Sequence, residues 1–98
     1  MVPLKLPKTT LGRAWVNDIV IDDPNVSRFH AVITLESPFF MIRNLRSMNG
    51  LRLNGQLVHA RVLMDGDTLI IGGCTLHFIA DEEAREAVGV SSSPLLLA

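Results

Sequence analysis

Three short stretches of the 98-residue chain place hydrogen-bond donors where an anion would need them. "LGR" at 11–13 presents Arg13. "SRFHAVI" at 27–33 presents Ser27, Arg28 and His30 at the mouth of an apolar run. "RSMNG" at 46–50 presents Ser47 and Asn49 around Met48. A phosphate monoester carries a charge of about −1.5 to −2 at neutral pH and three acceptor oxygens. The groups that hold it are a guanidinium, hydroxyl and amide donors, and backbone N–H groups. Arg13, Ser27, Arg28, Ser47 and Asn49 are those donor types. Each stretch by itself also reads as ordinary structure: Arg13 as a surface residue, Ser27 as part of a turn after "DDPN", His30 as a satisfied core histidine, Asn49-Gly50 as a turn. The stretches become one site only if the fold gathers them.

Composition narrows the chemistry. Net charge is −1, with one tryptophan, four phenylalanines and no tyrosine. That is a poor endowment for a base-stacking, phosphate-tracking surface, so no nucleic-acid partner is expected. Charge is nevertheless unevenly placed. Arg13, Arg28, Arg43, Arg46, Arg52 and Arg61 precede an acidic cluster of Asp81, Glu82, Glu83 and Glu86. A local basic site on a near-neutral domain fits this distribution. The single cysteine, Cys74, excludes an internal disulfide framework. With His30, His59 and His77 it shows no metal-ligand spacing, so neither metal nor cofactor is expected. No apolar run approaches the length of a membrane span, and "MVPLKLPKTT" lacks the apolar stretch of a secretory signal. The expectation is a cytoplasmic domain with no membrane partner.

The elements that must position the donors are short. "VPLKL" (2–6), "IVI" (19–21), "HAVITL" (30–35), "FFMIRNL" (39–45), "LRL" (51–53), "QLV" (56–58), "DTLII" (67–71) and "CTLHFI" (74–79) are apolar runs divided by turn residues. About ten such segments argue for an all-β sandwich. Asn54-Gly55 and Gly72-Gly73 suit type I′ hairpin turns, and "MDGDT" (64–68) is a further tight turn. Alternation puts Leu69, Ile71, Leu76 and Phe78 on one core face. "DEEAREAVG" (81–89) reads as a short helix capped by Asp81 and ended by Gly89. The chain therefore divides into a sandwich over 1–80 and a short helix with an apolar tail over 81–98. Loops of a sandwich gather at its two ends, where distant stretches can meet.

"LGRAWVNDIVIDDPNVSRFHAVI", "IRNLRSMNGLRLNG" and "LMDGDTLIIG", in that order, closely resemble the forkhead-associated (FHA) domain over about residues 9–79. The resemblance implies a β-sandwich of two antiparallel sheets, usually of eleven strands. It implies a non-enzymatic module that binds phosphothreonine peptides through loops at one end. By that likeness Arg13 pairs with the phosphate, Ser27 donates its hydroxyl, and Arg28 is a further phosphate contact. Asn49 hydrogen-bonds the peptide main chain, His30 braces the loops, and Gly12 and Gly50 let the backbone turn. The implied partner is a phosphothreonine-bearing protein in a Ser/Thr kinase pathway.

Two departures from the family pattern raise other expectations. Met48 stands where relatives carry a pocket threonine, so an interaction or scaffold domain that has lost phosphate binding is the alternative reading. The family's first strand has no counterpart, which leaves a sheet edge near "CTLHFI" open to the "PLLLA" tail or to a second copy in a homo-oligomer. A hydrolase built on Ser27 and His30 is the rival from another class. It lacks any nucleophile elbow.

Overall fold

The computed structural model describes residues 2–5, 7–80 and 94–97. Among them are eleven strands: β1 (Val2–Pro3), β2 (Lys8–Gly12), β3 (Ile19–Val20), β4 (Ala31–Glu36), β5 (Phe39–Asn44), β6 (Leu51–Leu53), β7 (Gln56–Val58), β8 (Ala60–Leu63), β9 (Thr68–Ile71), β10 (Cys74–Ile79) and β11 (Leu95–Leu97). They form a six-stranded sheet, ordered β1-β11-β10-β9-β6-β7, and a five-stranded sheet, ordered β3-β2-β4-β5-β8. The helix expected over 81–89 lies outside the described residues.

Period-two alternation builds the core between the sheets. Leu69, Ile71, Leu76 and Phe78 all point inward, as their spacing requires. They meet Leu11, Ala31, Ile33 and Ile42 from the other sheet in one buried cluster. Phe40 packs on Phe78 across the interface, with ring centroids 6.0 Å apart. Two strands carry no clear apolar run. β2 buries Thr9 because its hydroxyl donates to the Lys5 carbonyl and accepts the Lys5 N–H, both at 2.8 Å. β8 is an edge strand whose first two residues are exposed.

The sheets are not wholly antiparallel. β2 and β3 pair in parallel, Leu11 opposite Ile19 and Gly12 opposite Val20. Their connection is short because the chain doubles back and is clamped before it restarts. Asp18 accepts the Thr10 N–H at 2.9 Å, and the Thr10 hydroxyl accepts the Asp18 N–H at 3.0 Å. The backbone bond from Thr10 holds the Asp18 carboxyl below its usual range.

The hairpins differ from one another. Asn54 and Gly55 have φ of 51° and 85°, the type I′ pattern. At Gly72-Gly73 only Gly72 has positive φ, at 60°, so that turn is of the II′ kind. Asn54 also does more than turn the chain. Its side chain donates to Asp67 Oδ1 at 2.8 Å and accepts the Thr68 N–H at 2.9 Å, tying the hairpin to the 64–68 turn.

The edge beside β10 is filled by the chain itself. β11 pairs with it, Phe78 opposite Leu96, and β1 pairs onto β11, Val2 opposite Leu96. Leu4 donates its N–H to the Pro94 carbonyl at 2.9 Å. Leu95 and Leu96 are buried.

Leu96→Ala should lower unfolding free energy by about 2–5 kcal/mol, the range for a buried leucine cut to alanine, as read by urea denaturation. A stability unchanged within error would show that β11 is not part of the folded unit. Asp18→Ala should cost about 1 kcal/mol at neutral pH, the scale of one hydrogen bond. Because folding lowers the Asp18 pKa, its contribution is complete above the unfolded-state value and disappears as pH falls through the folded one. The difference in melting temperature between wild type and Asp18→Ala should therefore shrink in acid.

Candidate functional site

The loops that follow β2, precede β4 and join β5 to β6 converge at one end of the sandwich. Their convergence is fixed by a small number of buried bonds. His30 is fully buried. Its Nδ1 accepts the Ser27 N–H at 3.0 Å, which leaves Nε2 to carry the proton and donate to the Gly50 carbonyl at 2.6 Å. Its backbone N–H donates to the Leu11 carbonyl at 2.9 Å, and its carbonyl accepts the Leu45 N–H at 2.9 Å. One residue thus ties all three loops together. Gly50 has φ of 77°, and a Cβ there would fall 2.6 Å from Leu57 Cδ1.

Arg13 lies just beyond β2. Its backbone N–H donates to the Ser27 carbonyl, and its Nε to the Val26 carbonyl, each at 3.0 Å. The guanidinium is anchored through one nitrogen. Among the described residues nothing engages its Nη groups, nor the Arg28 guanidinium. Arg28 turns its carbonyl inward. That carbonyl accepts the Ala14 N–H at 3.1 Å and the Asn17 side-chain amide at 2.7 Å. A Cβ on Gly12 would collide with the same carbonyl, so only glycine permits the approach. Asn17 is buried and also donates to the Ala14 carbonyl at 2.8 Å. Sequence reasoning passed over Asn17. Its role rests on two carbonyls, one of them eleven residues away, and no local pattern marks it.

Ser27 Oγ accepts the Met48 N–H at 3.0 Å. The hydroxyl proton is then free to point elsewhere. Asn49 donates from Nδ2 to the Asn25 carbonyl at 2.7 Å, leaving its amide oxygen and second N–H. Asn25 is itself held by Asp23, whose Oδ1 accepts its N–H at 2.8 Å and whose Oδ2 accepts the Gly73 N–H at 3.0 Å. Arg13, Ser27, Arg28, Met48 and Asn49 line one open depression of about 310 Å³, and none of its lining residues is acidic. Ser47 lies outside it. Its hydroxyl donates to Asn44 Oδ1 at 2.5 Å, and it lines a neighbouring hollow with Leu57 and His59. The Met48 side chain is 91% exposed.

The arrangement can hold an anion. His30 is not placed to activate Ser27 as a nucleophile. His30 meets the Ser27 backbone rather than its hydroxyl, and both ring nitrogens already face backbone groups.

Comparison with known proteins identifies relatives of this sandwich. The family model described as "FHA domain" matches residues 9–72. The transcriptional regulatory protein EmbR of Mycobacterium tuberculosis is 43% identical over 70 residues, covering 70% of this chain and 18% of EmbR. The glycogen accumulation regulator GarA of Mycolicibacterium smegmatis is 36% identical over 84 residues, covering 86% of this chain and 53% of GarA. The chain thus spans about half of one relative and under a fifth of the other. Among solved structures, M. tuberculosis EmbR in complex with a low-affinity phosphopeptide superposes with a TM-score of 0.78 at 39% identity, over 80% of this chain and 21% of that one. The FHA-2 domain from the M. tuberculosis ABC transporter Rv1747 gives a TM-score of 0.71 at 40% identity, over 79% of this chain and 71% of that one.

The bracing role of His30 predicts a large stability effect. His30→Ala strips partners from Ser27 N–H and Gly50 C=O, each worth about 1–3 kcal/mol if left unpaired. Chemical denaturation should show a total loss of about 2–6 kcal/mol. A loss below about 0.5 kcal/mol, the scale of an ordinary surface substitution, would contradict the role.

Proposed function

Because this chain belongs to the FHA domain family, we propose that it is a phosphothreonine-dependent interaction module. The observation that carries the reading is the depression at the end of the sandwich. Arg13 and Arg28, whose Nη groups no described residue engages, line one volume with the Ser27 hydroxyl and the Asn49 amide, and no carboxylate is among its lining residues. That donor set matches a dianionic phosphate followed by a peptide backbone. In this reading Arg13 is the main phosphate partner, since its Nε is pinned to the Val26 carbonyl and no described residue engages its Nη groups. Ser27 donates its hydroxyl proton, Arg28 adds charge, and Asn49 pairs with the peptide main chain. Met48 contributes backbone geometry, its N–H holding Ser27 in place. Ser47 supports the loop through Asn44 rather than touching the phosphate. The partner is a protein threonine-phosphorylated by a Ser/Thr kinase. The setting is cytoplasmic, where such kinases draw on ATP. The solved structure of EmbR in complex with a low-affinity phosphopeptide supports the reading by relationship.

Calorimetric titration with a phosphothreonine peptide, its phosphoserine and unphosphorylated forms as controls, tests it. Arg13→Ala should weaken binding by about 2–5 kcal/mol, the scale for breaking one hydrogen-bonded charge pair. Ser27→Ala should cost about 1–3 kcal/mol. Binding unchanged in a folded Arg13→Ala protein would overturn the assignment, and no binding by wild type would favour the scaffold reading instead. Met48→Thr, which restores a hydroxyl at the rim, should strengthen binding by about 1 kcal/mol. Weaker binding would make the methionine a contact in its own right.

A further inference from the structure

Arg13 and Arg28 border two depressions, not one. A second hollow, which Met48 and Asn49 do not line, is formed by the same two arginines with Ala14, Trp15, Val16 and Phe29. Its volume is about 630 Å³. Trp15 is 85% exposed, Val16 56% and Phe29 50%. Leaving three large apolar side chains uncovered side by side is unfavourable in water and marks a contact surface. The turn that carries Trp15 and Val16 is also held rigid. The Ala14 N–H is bound to the Arg28 carbonyl, and Asn17 bridges the Ala14 and Arg28 carbonyls from a buried position. The Trp15 side of the hollow is therefore formed before any ligand arrives, which lowers the ordering cost of binding.

We propose that this hollow takes an apolar side chain of the phosphopeptide itself, on the flank of the phosphothreonine that runs away from Asn49. The inference rests on the phosphopeptide reading and adds a sequence preference to it. Continuity selects the occupant. The two arginines line both hollows, so a phosphate seated against them carries a neighbouring residue over Trp15 and Phe29 within one or two residues of extended chain. Charge selects against a second copy. A symmetric contact through this patch would bring together Arg13 and Arg28 of both copies with no counter-charge. The phosphate supplies that counter-charge, and an apolar neighbour then covers the exposed rings. A polar neighbour would lose water against them and gain no partner.

The test uses a phosphothreonine peptide of otherwise alanine sequence, with one leucine moved through each position within four residues on either side. Trp15 is the chain's single tryptophan, so its fluorescence reports on this hollow alone. Leucine at one or two positions, all on one flank, should tighten binding about tenfold over the alanine parent and shift Trp15 emission to the blue. In Trp15→Ala and Phe29→Ala proteins the leucine-to-alanine affinity ratio, read by calorimetry, should fall toward one. Equal affinities at every leucine position, or a ratio that survives both substitutions, would overturn the proposal while leaving phosphopeptide binding intact. Failure of the alanine parent and every leucine peptide to bind would overturn both readings. Binding to anionic vesicles through Trp15 with no leucine preference would reassign the hollow to a membrane surface.

Discussion

A buried imidazole ring is the constraint on which the end of this sandwich depends. His30 sits between the loop that presents Ser27 and the loop that presents Asn49, and it holds a backbone group of each. The ring has no room for solvent, so each nitrogen must find its partner in the protein. A backbone N–H on Nδ1 fixes the proton on Nε2, and that proton fixes the Gly50 carbonyl. Two loops more than twenty residues apart in sequence are thereby set at hydrogen-bond distance. Rigidity matters here because an anion-binding pocket gains only from donors that are already aimed.

A second constraint is the contact between Gly12 and the Arg28 carbonyl. Missing a side chain, Gly12 lets the 27–28 backbone lie against the end of β2. The Arg28 carbonyl then turns inward to meet Ala14 and Asn17, and its side chain is left at the surface beside Arg13. The same packing stiffens the turn that carries Trp15. One local approach therefore shapes both the hollow with Ser27 and Asn49 and the one with Trp15 and Phe29 next to it.

The remainder of the molecule is a platform. The two sheets meet over one apolar cluster, and the terminal strands β1 and β11 extend it along β10. This settles the management of the sheet edge. An unpaired β10 would offer its N–H and C=O groups to other chains. Pairing by the chain's own tail removes that edge and buries Leu96 against the core.

Much of this was legible in the residues, and the reason differs by element. Strand faces followed from alternation, because inward and outward side chains differ in hydrophobicity at every second position. Arg13, Ser27, Arg28, His30 and Asn49 stood out because each belongs to a short ordered motif whose members are close in sequence. The parallel pairing of β3, the type II′ turn at Gly72-Gly73, the bond from Ser47 to Asn44 and the bridging by Asn17 and Asn54 were not legible. These depend on which backbone groups lie nearby after the sheets have paired, and short polar side chains have many alternative partners. By itself the sequence determined the alternating core faces and the supply of phosphate-type donors. Only the tertiary structure decided that three loops meet, that Ser47 turns aside, and that Trp15 and Phe29 share arginines with the pocket. Contacts between residues far apart in the chain are set by the packing of the two sheets and the loops at their ends, which no local pattern encodes.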